Sequence, residues 1–343
     1  MVRPSGKEEK GVMARSRRGG GGSPVRRAER YAAPQPVSAA GPQHSCGSVF
    51  RQRWTDLVFV HWETSPDAVA GLFPTGTRPD VLDGKTYVGL VFFGMRDLRL
   101  ARGPVLPFGG RFEEINVRLY SVDAAGRRGV VFLSLDCSRL LPVIAANALF
   151  GLPYRWASAR CDRFEERVLY AVRRKSRERP RSRLWAAVEG EERGPNALEN
   201  FLTARWGLHA RTRGRTLYWP LHHEPWRFRD AALLLLEDEL VRAATGLTVD
   251  ASAPASLLYS EGLSVRFGRP FWISETSASC SPLGYARDTR RGHPPSPSRI
   301  RPPAGRTADA DADVHPSTDA PRGHLDSAGR CLVDWGRGPE GVC

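Results

Sequence analysis

Between Val49 and Phe267 the chain is a succession of short runs rich in β-branched and aromatic residues, broken by glycine and proline. These runs never alternate with helical segments in the way that βαβ units require, and no glycine-rich phosphate loop follows any of them. The pattern points to an α+β fold with a largely antiparallel sheet and disfavours nucleotide-binding folds. Leu57–Trp62, Thr86–Met95, 112–120, 129–137, Arg167–Arg174, Arg183–Val188, Thr216–His223, Leu257–Tyr259 and Leu263–Phe267 read as strands. Asp83-Gly84 marks a hairpin turn, and Gly89 and Gly94 inside one run suggest bulges or close backbone approach. Pro220 suggests an edge or a bulge for its strand. Helices are expected after Ser65-Pro66-Asp67, over Leu140–Phe150 ending at Gly151, around Leu198–Trp206 and over Glu239–Ala244, while Leu233–Leu236 fits either type.

Only this central part has the composition to build a core. The organisation expected is a domain over 48–275 between disordered tails at 1–47 and 276–343. The first 45 residues carry nine Arg or Lys against three acids and almost no large aliphatic residues, and the last stretch is rich in Pro, Arg and Asp. The net charge of +14 therefore comes partly from a flexible arm that would bind polyanions weakly and non-specifically. The six cysteines show no metal-ligand spacing and no disulfide framework. No apolar run is long enough to span a bilayer, so the default location is the cytoplasm, with no membrane partner. Neither a metal nor a cofactor is expected, and the oligomeric state is not legible.

Chemistry concentrates in FEEINVRLY, residues 112–120. On a strand, Phe112, Glu114, Asn116, Arg118 and Tyr120 share one face and Glu113, Ile115, Val117 and Leu119 the other. A row of carboxylate, amide, guanidinium and phenol at steps of about 6 to 7 Å is either a solvated sheet face or the lining of a polar cavity. His61, between Val60 and Trp62, is either a core histidine or a second residue facing that cavity. His222-His223-Glu224 cannot supply three ligands to one metal from a regular strand, and reads as a structural corner.

Several segments, in this order, resemble the YqjF-like family of bacterial proteins. They are Trp54-Thr55-Asp56-Leu57 with His61-Trp62, Phe112 to Tyr120, Gly129 to Leu135, Leu152-Pro153-Tyr154, His223-Glu224-Pro225-Trp226 and Ser260-Glu261-Gly262. That family is similar in fold to acetoacetate decarboxylase, so the resemblance implies an antiparallel β cone, or partly open barrel, around a cavity with a few peripheral helices. It favours the cavity-lining reading of Glu114, Asn116 and Arg118. The decarboxylase pattern Gly-Phe-Pro-Lys-Lys falls on Gly151, Leu152, Pro153, Tyr154 and Arg155, and its glutamate on Glu114. A phenol at 154 forms no imine, and Lys85 and Lys175, the only lysines of the domain, are expected to be exposed. The implied activity is binding of a small organic acid or carbonyl compound with non-covalent acid/base chemistry by Glu114 and Tyr154. Arg118, Arg155, Asn116 and His61 would hold the ligand, and Glu114 is expected to face Tyr154. The alternative is a ligand-sensing or structural partner-binding protein without turnover.

Overall fold

The computed structural model describes residues 31–42, 47–106, 110–139 and 151–273. The expected helix at 140–150 and most of both expected tails lie outside these residues. The strands are β1 (Phe50–Thr64), β2 (Thr77–Pro79), β3 (Thr86–Leu100), β4 (Arg111–Asp123), β5 (Arg128–Cys137), β6 (Tyr154–Phe164) and β7 (Arg167–Arg174). They continue as β8 (Arg181–Arg193), β9 (Gly207–Thr212), β10 (Arg215–His223), β11 (Phe228–Asp238), β12 (Ser256–Phe267) and β13 (Phe271–Trp272). The described helices are short: α1 (Pro66–Val69), α2 (Ala197–Thr203) and α3 (Leu240–Thr245). The α+β reading therefore holds with the weight on β.

All strands belong to one sheet that closes on itself twice. A large ring runs β5-β6-β7-β8-β11-β12-β1-β3-β4 and returns to β5, because β4 also pairs with β5. A small ring shares β12, β1, β3, β4 and β5 and closes instead through β9 and β10. The branch points are split strands. On β5, Leu135 to Cys137 pair with β6 while Val130 pairs with β9. On β12, Leu258 and Tyr259 pair with β11 while Val265 to Phe267 pair with β10. These two junctions of β5 are parallel, and the other pairings among the described strands are antiparallel. Among the described strands, closure leaves only the short β2 and β13 at the ends of the sheet, so few unpaired backbone groups are offered there.

Period-two alternation sends the two faces of the shared strands into different rings. Val58, Val60, Val88, Leu90, Phe92, Ile115, Val117 and Leu119 enter the core of the large ring, with Tyr170 and Leu184 opposite. Leu57, Phe59, Val91, Phe93 and Phe112 enter the small ring, with Trp226 and Phe228. A register shift between Thr55 and Val58, with Asp56 in a left-handed conformation, forms a bulge opposite Gly94.

Local chemistry sets the starts of two helices, the first as the sequence suggests. Ser65 caps α1, and Asn196 forms a capping box with Glu199 at α2. Leu233–Leu236, which fits either type in the sequence, lies inside β11. Other elements differ from expectation: β6 and β9 are strands although neither shows clean alternation. Pro220 is not at an edge. Its strand pairs on one side with β9 and on the other with β13 at 217–218 and with β12 at 221–223, and Pro220 occupies the gap between those last two, where no ladder donor is needed. Residues 31–42 fall inside the stretch expected to be disordered. They run instead as extended chain along the β4–β5 turn, with Ala32 N donating to Ala124 O, Gln35 N to Gly126 O, and Trp206 Nε1 to Ser38 O.

Candidate functional site

The row on β4 points into the small ring and is buried, not solvated: Glu114 is 2%, Asn116 5% and Arg118 9% exposed. Tyr154 is the first residue of β6 and stands beside Leu135, the partner of Asn116 on β5. Its hydroxyl donates to Glu114 Oε2 at 3.0 Å. The sequence-based expectation that Glu114 faces Tyr154 corresponds to this contact. Burial raises Glu114 to about 8, against the opposing pull of the Tyr154 hydroxyl and the Asn116 side chain. The carboxyl group is therefore mostly protonated at neutral pH. Burial, reinforced by the Glu114 carboxyl group, also raises Tyr154 well above the usual tyrosine range.

At the other end of the row the register places His61 next to Gly89 and Gly89 next to Arg118. A Cβ on Gly89 would meet the Tyr120 hydroxyl at 2.9 Å, Arg118 Cγ at 3.2 Å and His61 Cδ2 at 3.2 Å. The missing side chain lets these three groups converge over it, which is the close approach that a glycine in a strand suggests. His61 is fully buried, and neither ring nitrogen has a hydrogen-bond partner. Burial, with the nearby charges of Arg118 and Arg205, holds it well below the usual histidine range, so the ring is neutral.

Arg118 is supported without being neutralised. Its Nε donates to Tyr120 Oη at 3.2 Å and its Nη2 to the carbonyl of Leu202 at 3.1 Å, and the guanidinium lies over the rings of Phe59 and Tyr120. Leu202 lies in the last turn of α2, where carbonyls lack helical partners and the helix dipole is negative. The neighbouring carbonyls serve similarly, Thr203 O accepting from Trp226 Nε1 and Phe201 O from Arg205. Among the described residues no carboxylate lies within 4.0 Å of the Arg118 guanidinium. Asn116 Oδ1 is likewise buried without a partner.

The succession of segments that builds this site is matched in other proteins. The DUF2071 family, described as an uncharacterized conserved protein, matches residues 51–264. This chain belongs to the DUF2071 family. It is 29% identical over 214 residues to the protein YqjF of Bacillus subtilis (strain 168), spanning 60% of this chain and 85% of that one. Among solved structures it is similar to acetoacetate decarboxylase from Legionella pneumophila, at 13% identity and a TM-score of 0.48, covering 72% of this chain and 94% of that one. It is also similar to an acetoacetate decarboxylase-like enzyme from Sphingomonas wittichii RW1, at 14% identity and a TM-score of 0.46, over 68% and 99% of the two chains.

Within this DUF2071 domain the structure brings together Glu114, Asn116 and Tyr154 at one end of the row and Arg118 and His61 at the other. It does not bring in Arg155. Alternation along β6 turns Arg155 away from the Tyr154 side, and it is exposed. Lys85 is exposed and pairs with Glu63, and Lys175 is exposed over the Trp156 ring. His223 stacks on Trp206 with ring centroids 4.3 Å apart and bonds the carbonyl of Glu224, as a corner residue would. Burial lowers it to about 4. Among the described residues no group of His, Cys, Asp and Glu is arranged to hold a metal ion, and no helix is long and apolar enough to cross a membrane. Sequence reading missed the Leu202 carbonyl and the Phe59 ring as supports of Arg118. A backbone acceptor leaves no signature in side-chain chemistry, whereas Phe59 shares the strand face of His61 two residues on and was findable.

Proposed function

We propose that the small ring binds a small organic acid or carbonyl compound, with Arg118 pairing to a carboxylate and with Glu114 and Tyr154 exchanging protons with the ligand non-covalently. The observation that carries this reading is the buried Arg118, which has no carboxylate within reach among the described residues. An uncompensated buried charge costs several kcal/mol, roughly, unless a partner arrives. A bidentate carboxylate is the partner that best fits a guanidinium. Asn116 and His61 sit where they would contact the rest of the same ligand.

Glu114 has the protonation state for a general acid near neutral pH, because its acidity is tuned close to the working range. Tyr154 holds it in position from β6. Covalent imine chemistry is set aside in this reading, since residue 154 is a phenol and both lysines of the domain are exposed. A cytoplasmic location fits the unbridged Cys137 and Cys161. The basic N-terminal arm would add weak polyanion contacts.

Native mass spectrometry of the full chain from cell extract tests the reading. It predicts a co-purifying acid of low mass that the Arg118→Met variant does not retain. A covalent adduct trapped by borohydride on Lys85 or Lys175 in the presence of acetoacetate would contradict the non-covalent chemistry.

A further inference from the structure

We infer that the exposed side of the β7–β8 hairpin is a binding surface for single-stranded nucleic acid, with phosphates on Arg173, Lys175, Arg177 and Arg179 and a base stacked on Trp156. The surface is independent of whatever the small ring binds. It starts from the run RRKSRERPRSR, residues 173–183, which carries seven Arg or Lys against the single acid Glu178. Alternation along the two strands sorts these cations. Arg174 turns inward to the buried Asp136, and Ser182 is buried. Arg173, Lys175, Arg177, Arg179 and Arg181 are exposed, and Arg183 is half-buried.

The fold leaves most of the outward cations unused. Arg181 and Arg183 stand 3.7 and 3.6 Å from Glu239 and Glu237. Among the described residues no carboxylate lies within 4.0 Å of Arg173, Lys175, Arg177 or Arg179. Arg173 is moreover the ladder partner of Arg181, and like charges directly opposite each other on a sheet repel. A polyanion laid along the hairpin replaces this repulsion with attraction and gains further by releasing its counterions. Lys175 N donates to Trp156 O at 2.8 Å, which sets Trp156 of β6 beside the run, and Lys175 Nζ lies 4.2 Å from the indole centroid. Trp156 is 39% exposed, whereas an indole is ordinarily well buried. Cations flanking an exposed aromatic ring are the combination that holds single strands, whose phosphates pair and whose free bases stack. A duplex offers the ring no free base. A membrane surface fits less well, because the turn Lys175-Ser176-Arg177-Glu178-Arg179-Pro180 has no large apolar side chain to enter the headgroup layer.

Fluorescence anisotropy of the full chain with a labelled oligo(dT) of about 20 nucleotides, at salt from about 50 to about 200 mM, tests the assignment. Binding is expected to be at least about threefold tighter than to a duplex of equal length, since only the single strand gives Trp156 a base. Arg173→Glu/Arg177→Glu/Arg179→Glu should lose at least about tenfold in affinity and lower the salt slope by about 2, at about 0.7 per phosphate contact. Trp156→Ala should lose at least about fivefold with the slope unchanged. The same number of charge reversals in the N-terminal arm, Arg15→Glu/Arg17→Glu/Arg18→Glu, should cost less than about threefold. Thermal melting confirms that each variant is folded. Should the triple hairpin variant be destabilised, Arg177→Glu/Arg179→Glu in the turn alone is expected to lose at least about threefold. The assignment is overturned by a hairpin variant or a Trp156→Ala protein that binds as the parent does, by a larger loss in the arm variant, or by duplex bound as tightly as single strand. Vesicles of phosphatidylserine and phosphatidylcholine bound in preference to oligo(dT) would make the hairpin a membrane contact and overturn it as well.

Discussion

The two rings share five strands, yet the buried Asp136 on one face and the buried Arg118 on the other are handled in opposite ways. On the large-ring face of β5, Asp136 is fully buried and receives Arg174 Nε at 2.7 Å and Arg174 Nη2 at 2.8 Å, a bidentate pair reaching across β6 from β7. Beside the small ring, Arg205 pairs with Asp80, which also receives Arg128. On the small-ring face of β4, Arg118 has two neutral acceptors and two aromatic rings but, among the described residues, no carboxylate. A closed pair fixes strands relative to one another and offers nothing to a ligand. An open cation holds no such pair together and is retained at a cost in stability, which is the mark expected of a binding group.

The comparison is broken most readily at the closed pair. Asp136→Ala leaves Arg174 uncompensated and is predicted to cost about 3–5 kcal/mol of unfolding free energy. Urea denaturation measures this, and a loss below about 1 kcal/mol would mean that the large ring does not depend on the pair. The next effect is pH dependence from Glu114. Its folded-state value of about 8 lies above the ordinary 4.5, so between these values the folded protein holds a proton that the unfolded chain has lost. Stability from this group is full below about pH 4.5 and falls as pH rises through 8, by up to a few kcal/mol as an order of magnitude. In Glu114→Gln the slope should flatten, most clearly between pH 6.5 and 8, where the buried histidines have little effect. Equal slopes in the two proteins would place the Glu114 proton elsewhere.

Smaller effects sharpen the comparison. Gly89→Ala puts a methyl group among His61, Arg118 and Tyr120, and is predicted to cost about 1–3 kcal/mol while abolishing carboxylate binding. Unaltered binding by this variant would show that ligand does not occupy the space over Gly89. Tyr154→Phe removes one hydrogen bond to Glu114 and should cost about 1 kcal/mol. Because that bond holds Glu114 down, its loss should move the Glu114 titration further upward, which carboxyl-observed NMR detects.

Much of this was legible from residues 112–137. The alternation in FEEINVRLY divides its side chains correctly between two faces, and the second face is core as expected. Periodicity does not distinguish a solvated face from a buried one. That depends on β9, β10 and α2 folding over the row, and β9 carries no alternation of its own. Arg155 was misplaced because the stretch reads as the exit of a helix, whereas Tyr154 begins a strand and sends its neighbour outward. The closed pairs Asp136–Arg174 and Asp80–Arg205 join residues far apart in sequence and left no local pattern.

The central claim is that Arg118 is kept for a ligand and not for the fold. Its most direct test is the unfolding free energy of Arg118→Met beside that of Arg174→Met, each measured without added ligand. The account predicts that Arg174→Met loses about 3–5 kcal/mol, whereas Arg118→Met stays within about 1 kcal/mol of the parent or exceeds it. A loss at Arg118 as large as that at Arg174 would contradict the account and make Arg118 a structural residue.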